Sequence, residues 1–78
     1  MVDLCILDHY IALGRPIVVV RCPAEWAGVD RDESVGIVGV TVRVNGEIVR
    51  VRGIERHLPS RPYQEGELLG LWCVTEQP

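Results

Sequence analysis

Val40-Thr41-Val42-Arg43-Val44-Asn45-Gly46-Glu47-Ile48-Val49-Arg50-Val51-Arg52 reads as a β-hairpin whose turn and side-chain pattern specify one register. Asn45-Gly46 suits a two-residue type I′ turn, because both central positions of that turn need positive φ. Such a turn sets Val44 opposite Glu47, Val42 opposite Val49 and Val40 opposite Val51. The alternate positions set Arg43 opposite Ile48, Thr41 opposite Arg50 and Gly39 opposite Arg52. One face is therefore valine and the other bears arginine. A slip of one residue would turn every valine to water, so pattern and turn specify the same pairing.

The flanks continue the strand pattern. Residues 2–7 form a mixed strand interrupted by Asp3, and a turn is expected around Gly14-Arg15-Pro16. Residues 17–20 are a β-branched run, too short for a helix. From Cys22 to Ser34 the pattern dissolves into a long loop, with a brief helical turn at residues 24–27 and an acidic cluster, Asp30-Arg31-Asp32-Glu33. The hairpin arms are residues 36–44 and 47–54, and a second loop covers residues 55–65. Residues 67–74 are apolar on both faces, which predicts a central or sandwiched strand. Five strands and no amphipathic helix predict an all-β domain. A sheet this small protects its edges best by closing, so the expected architecture is a small closed or nearly closed antiparallel β-barrel around the Asn-Gly hairpin.

With 78 residues there is room for one domain, residues 1–78, which buries only about 60% of its unfolded surface. Phe is absent and aromatics make up 5%, so Val, Ile and Leu must build the core. Self-association would supplement a core of this size. The net charge of −3 argues against a general nucleic-acid binder. All eight basic residues are arginine. Without lysine there is no P-loop lysine, no Schiff-base lysine and no lysine general base. Three widely spaced cysteines, Cys5, Cys22 and Cys73, make no C-x-x-C pair and no even disulfide set. Residues 1–20 lack the basic start and cleavage site of a secretory signal, and no run approaches a membrane span of about 20 residues. A cytoplasmic protein without membrane contact is expected.

Ile6, Asp8, Tyr10, Gly14, Arg15, Val18 and Val19 fall in continuous register with a known pattern. The segment resembles the entry to the second-domain β-barrel of elongation-factor-Tu-like translation GTPases. Residues 51–56 (Val-Arg-Gly-Ile-Glu-Arg) and 66–71 (Gly-Glu-Leu-Leu-Gly-Leu) are similar to the later strands of that barrel. Pro16 departs from the pattern, which usually has a second glycine there. The resemblance implies a barrel that serves as a docking module. No G-x-x-x-x-G-K-[ST] is present, so GTP hydrolysis is excluded.

The candidate surface is the arginine face: Arg43, Arg50 and Arg52, with Arg56 close behind in the chain. Planar guanidinium groups suit a phosphate or carboxylate partner. The plainer alternative is a solvated face paired with Glu47, Glu55 or the acidic residues 30–33. Trp26, in a polar loop, either folds back over the barrel mouth or is offered to a partner. Trp72 should pack on the last strand, its N–H seeking a partner. The acidic cluster lacks calcium-loop spacing, and His9, His57 and the cysteines lack finger-like spacing, so no metal or cofactor is expected. Ser34, Ser60 and the two histidines have no local signature of a nucleophile and base. The expected function is non-catalytic: a binding or assembly module working through protein contacts, with homo-oligomerisation as one form. The alternatives are an acidic-ligand or nucleic-acid-binding barrel that uses the arginine face, and a small structural subunit of a phage-like particle.

Overall fold

The computed structural model describes residues 2–28, 37–55 and 62–75. The acidic residues 30–33, Arg56, His57, Ser34 and Ser60 lie outside the described residues. Six strands form one sheet: β1 (Val2–Leu4), β2 (Asp8–Ala12), β3 (Arg15–Arg21), β4 (Thr41–Val44), β5 (Glu47–Glu55) and β6 (Leu68–Thr75). Their order across the sheet is β1-β4-β5-β6-β3-β2.

The central hairpin forms in the register its turn requires. Val44 pairs with Glu47, Arg43 with Ile48, Val42 with Val49 and Thr41 with Arg50. Asn45 and Gly46 have φ of 50° and 87°, the two positive values of a type I′ turn. Beyond Thr41 the simple pairing stops. Gly39 (φ 94°) donates its N–H to the Val51 carbonyl at 2.8 Å, and Val51 donates back to Val40 at 2.9 Å. Two residues thus face one, a β-bulge with glycine in the left-handed position. Gly39 consequently does not stand opposite Arg52.

The chain is all-β as expected, and the expected closed or nearly closed antiparallel barrel differs from the sheet in two respects. Among the described residues the sheet is open, with β1 and β2 at its two edges, and β1 pairs with β4 in parallel. The reason lies in residues 2–7, which do not make one strand. β1 ends at Leu4, and Cys5–Leu7 carries the chain from the β4 edge to the β3 edge. Asn45 anchors that crossing twice: its N–H donates to the Leu4 carbonyl at 3.2 Å, and its Oδ1 accepts from the Ile6 N–H at 3.4 Å. Leu7 then donates to the Val19 carbonyl at 2.7 Å, and β2 begins.

β2 and β3 form a second hairpin, turned by Leu13 and Gly14 rather than around Gly14-Arg15-Pro16. Pro16 pairs with Ile11 inside β3. Strand residues point alternately to one neighbour and the other, and Arg15 closes the turn with Ala12. The Pro16 nitrogen, which has no hydrogen to donate, therefore faces the β6 side. The β3–β6 ladder starts one residue later, at Ile17 opposite Trp72.

The inner face of the sheet carries the core. Val20, Val42, Val51 and Leu71 are fully buried, and Leu4, Val44, Val49 and Leu69 join them. Trp26, on a short 3-10 turn (Ala24–Trp26), packs into the same cluster with Cys22, Ile37 and Tyr63. β6 lies between β5 and β3 as its apolar sequence requires. β5 and β6 also slip by one residue: Val51 faces Cys73 and Gly53 faces Trp72, so Arg52 has no opposing residue of its own.

Candidate functional site

The outer face of three adjacent strands, β5, β6 and β3, gathers arginine around one tryptophan. Trp72 shares its face with Ile17 on β3, and Ile17 with Tyr10 on β2, so a row of large side chains crosses the sheet away from the core. Gly53 stands opposite Trp72 on the other side; a Cβ there would lie 3.5 Å from Trp72 Cε3, so the indole rests against bare backbone. The Arg15 guanidinium sits over the ring at 4.6 Å from its centroid. A cation in that position is attracted by the π face, by roughly 0.5–1 kcal/mol at an exposed site. Arg15 is exposed, so its guanidinium remains open to a carboxylate or phosphate.

The residues expected from the sequence land differently. Arg43 pairs with Asp3 at 3.1 Å, an exposed ion pair that contributes little. Arg50 donates from Nη1 to the Gly39 carbonyl at 2.8 Å and so braces the bulge. Arg52 is exposed at the β5 irregularity, and among the described residues it makes no ion pair or hydrogen bond. Arg56 is outside the described residues. Trp26 is only 5% exposed and belongs to the core; of its two readings, folding back inward is the one observed. Arg52 therefore keeps the surface role read from the sequence, and Arg15 and Trp72 join it. Sequence reasoning missed them because it placed Arg15 in a turn. It also could not foresee the one-residue slip that sets Gly53 opposite Trp72 and leaves Arg52 unpaired.

Two clefts flank the connection between the sheet edges. One, of about 470 Å³, is lined by Leu4, Cys5, Leu7, Arg21, Cys22 and Glu65 among others. Arg21 is already engaged there, donating to the Gly66 carbonyl at 3.2 Å. Burial pushes the Cys22 thiol up, and the charges of Glu67 and Glu65 push it further in the same direction. A thiol so placed resists forming the thiolate that nucleophilic chemistry needs. Glu67 Oε1 is buried without a hydrogen-bond partner among the described residues. The other cleft, of about 320 Å³, lies at the Asn45–Gly46 end, with Ile6, Val18, Val44, Val49 and Cys73 around it and Glu47 and Thr75 at its rim. Burial raises the Cys73 thiol to about 11. Among the described residues no three His, Cys, Asp or Glu side chains gather to hold a metal ion, and no helix is long and apolar enough to cross a membrane.

Fold and site together define a small all-β domain with a basic, aromatic outer face. No protein-family model matches the chain, and no curated protein or solved structure does.

Proposed function

We propose that this chain is a non-catalytic binding or assembly module that docks on the acidic surface of a protein partner through the face around Trp72. The observation that carries this reading is the Arg15 guanidinium held over the indole, with Arg52 exposed next in sequence to Gly53, which stands opposite Trp72. Arginine and tryptophan are the residue types that concentrate binding energy at interface centres. A guanidinium already ordered by stacking loses less freedom on binding. The resemblance to a translation-factor barrel supports the same reading, since that domain is a docking module. A subunit of a larger particle would be one form of such assembly.

The same stack favours a second reading, an acidic ligand or single-stranded nucleic acid laid on the indole. One titration separates the two. The Trp72 indole N–H resonance is followed while a glutamate-rich peptide, or a single-stranded oligonucleotide, is added. The first reading expects the peptide to shift that resonance, with Arg15→Ala and Arg52→Ala each weakening binding about fivefold, or about 1 kcal/mol. Preference for the oligonucleotide, with affinity falling steeply as salt rises, selects the second reading. A resonance that moves with neither probe rejects both.

A further inference from the structure

We propose that the outer edge of β2 pairs with the same edge of a second copy of this chain, in an antiparallel ladder centred on Tyr10. The inference goes beyond the docking face around Trp72, because it concerns backbone groups at the sheet edge.

Among the described residues, β2 has a ladder partner on one side only. Since Ala12 and Arg15 close a two-residue turn, Ala12, Tyr10 and Asp8 direct their backbone groups to β3. His9 and Ile11 direct theirs outward. The His9 N–H is held by its own neighbour, the Asp8 Oδ1, at 2.8 Å. A local carboxylate is a replaceable partner for an edge N–H.

The apolar surface along this edge is out of proportion to the rest of the molecule. Leu7, Ile11 and Leu13 are 49%, 69% and 87% exposed, within one seven-residue stretch. Leu13 moreover holds φ of 53°, a left-handed conformation that is an outlier for a bulky aliphatic residue. Exposed strand edges are normally blunted by charge, proline or cover. Here the only such device on β2 is Asp8, whose carboxylate covers the His9 N–H, and the rest of the exposed stretch is apolar.

Self-complementarity names the occupant. A five-residue strand overlaps itself completely only when its central residue, Tyr10, lies on the two-fold axis. Tyr10 then faces Tyr10 of the second copy across a close pair, where aromatic side chains attract. His9 meets Ile11 of the second copy, and their outward N–H and carbonyl groups exchange both bonds. Leu7 falls beside Leu13 of the second copy. Asp8 falls opposite the small Ala12, so no like charges stand opposite each other in this register. Tyrosine thus meets tyrosine and leucine meets leucine, while His9 and Ile11 are joined through their backbone groups. An interface this small, below about 1,200 Å², gives a weak dimer that follows concentration.

Sedimentation of the full chain from about 10 μM to 1 mM tests the idea, since that span brackets weak association. A monomer–dimer equilibrium is expected, and Ile11→Glu should raise its dissociation constant at least about tenfold. That side chain is exposed, so the variant keeps its fold, which an unchanged amide spectrum verifies. In a Cys5→Ser background, Tyr10→Cys should cross-link two copies under mild oxidation faster than Ile11→Cys does. Leu13→Asn relieves the turn while removing an apolar contact, so it should weaken the dimer without unfolding the chain. A single monomer at every concentration overturns the proposal. So does a dimer indifferent to Ile11→Glu, or one that cross-links equally from both positions. None of these variants removes Arg52, so loss of the dimer leaves the Trp72 docking test intact.

Discussion

Two hairpins of this molecule turn on two residues with the same backbone shape. Asn45 and Gly46 have φ of 50° and 87°; Leu13 and Gly14 have 53° and 78°. The backbone asks the same of both turns, and only one sequence answers it. Asparagine tolerates the left-handed region, whereas a bulky aliphatic residue is strained there. The first turn is also built into the domain: Asn45 holds Leu4 and Ile6, and Val42, Val44 and Val49 are buried behind it. The second turn stands clear, with Leu13, Gly14, Arg15 and Pro16 all exposed. A strained, exposed, apolar tip gains nothing for the isolated chain, and such strain usually marks a surface that acts on something else.

Substitutions can break this contrast at several scales. The largest effect should come from the buried arms: Val42→Ala should cost about 2 kcal/mol, against about 0.5 kcal/mol or less for Ile11→Ala in the other hairpin. Urea unfolding of dilute protein measures both, and equal losses would show that the two hairpins are equally integrated. Exchanging the turn residues comes next. Asn45→Leu should destabilise by about 1–2 kcal/mol, and Leu13→Asn should stabilise by up to about 1 kcal/mol. If Leu13→Asn is neutral, the tip is not strained.

The smallest effect is confined to alkaline solution. The Cys73 thiol, beneath the Asn45–Gly46 turn, has its pKa raised by burial from 9.0 to about 11. The unfolded chain therefore loses this proton first, and stability should decline as pH rises from about 9 towards 11. Cys73→Val should lessen that decline and leave neutral-pH behaviour nearly unchanged. An identical alkaline profile would show that Cys73 is not the group responsible.

What could be read in advance follows the same division. The Asn45–Gly46 register was legible because turn chemistry and valine alternation agree, and β6 was legible as a central strand because both its faces are apolar. The brief helical turn before Ala27 was legible from its local pattern. The Leu13–Gly14 turn was not, since leucine is a poor signal for positive φ and the proline two residues later drew the turn onward. Nor could local patterning show that residues 2–7 divide between opposite edges of the sheet. That choice is made by Asn45, nearly 40 residues away in sequence. The Trp72 face was hidden for a related reason: Arg15, Gly53 and Trp72 come together only through the pairing of three strands. Of the arginines singled out beforehand, Arg43 and Arg50 have structural partners, and Arg52 is exposed at the β5 irregularity.

The crossing at Cys5–Leu7 acts as a tether with a fixed reach. Four residue steps from Leu4 to Asp8 span at most about 14 Å. Laid flat, six strands about 4.8 Å apart would hold their edge strands about 24 Å from each other. The sheet therefore cannot flatten while its ladders are intact. It must stay curled even though no hydrogen-bonded strand pair among the described residues closes it. Curvature held by the chain itself keeps stacked, flat aggregation out of reach, and it leaves β2 free to take a partner strand from outside.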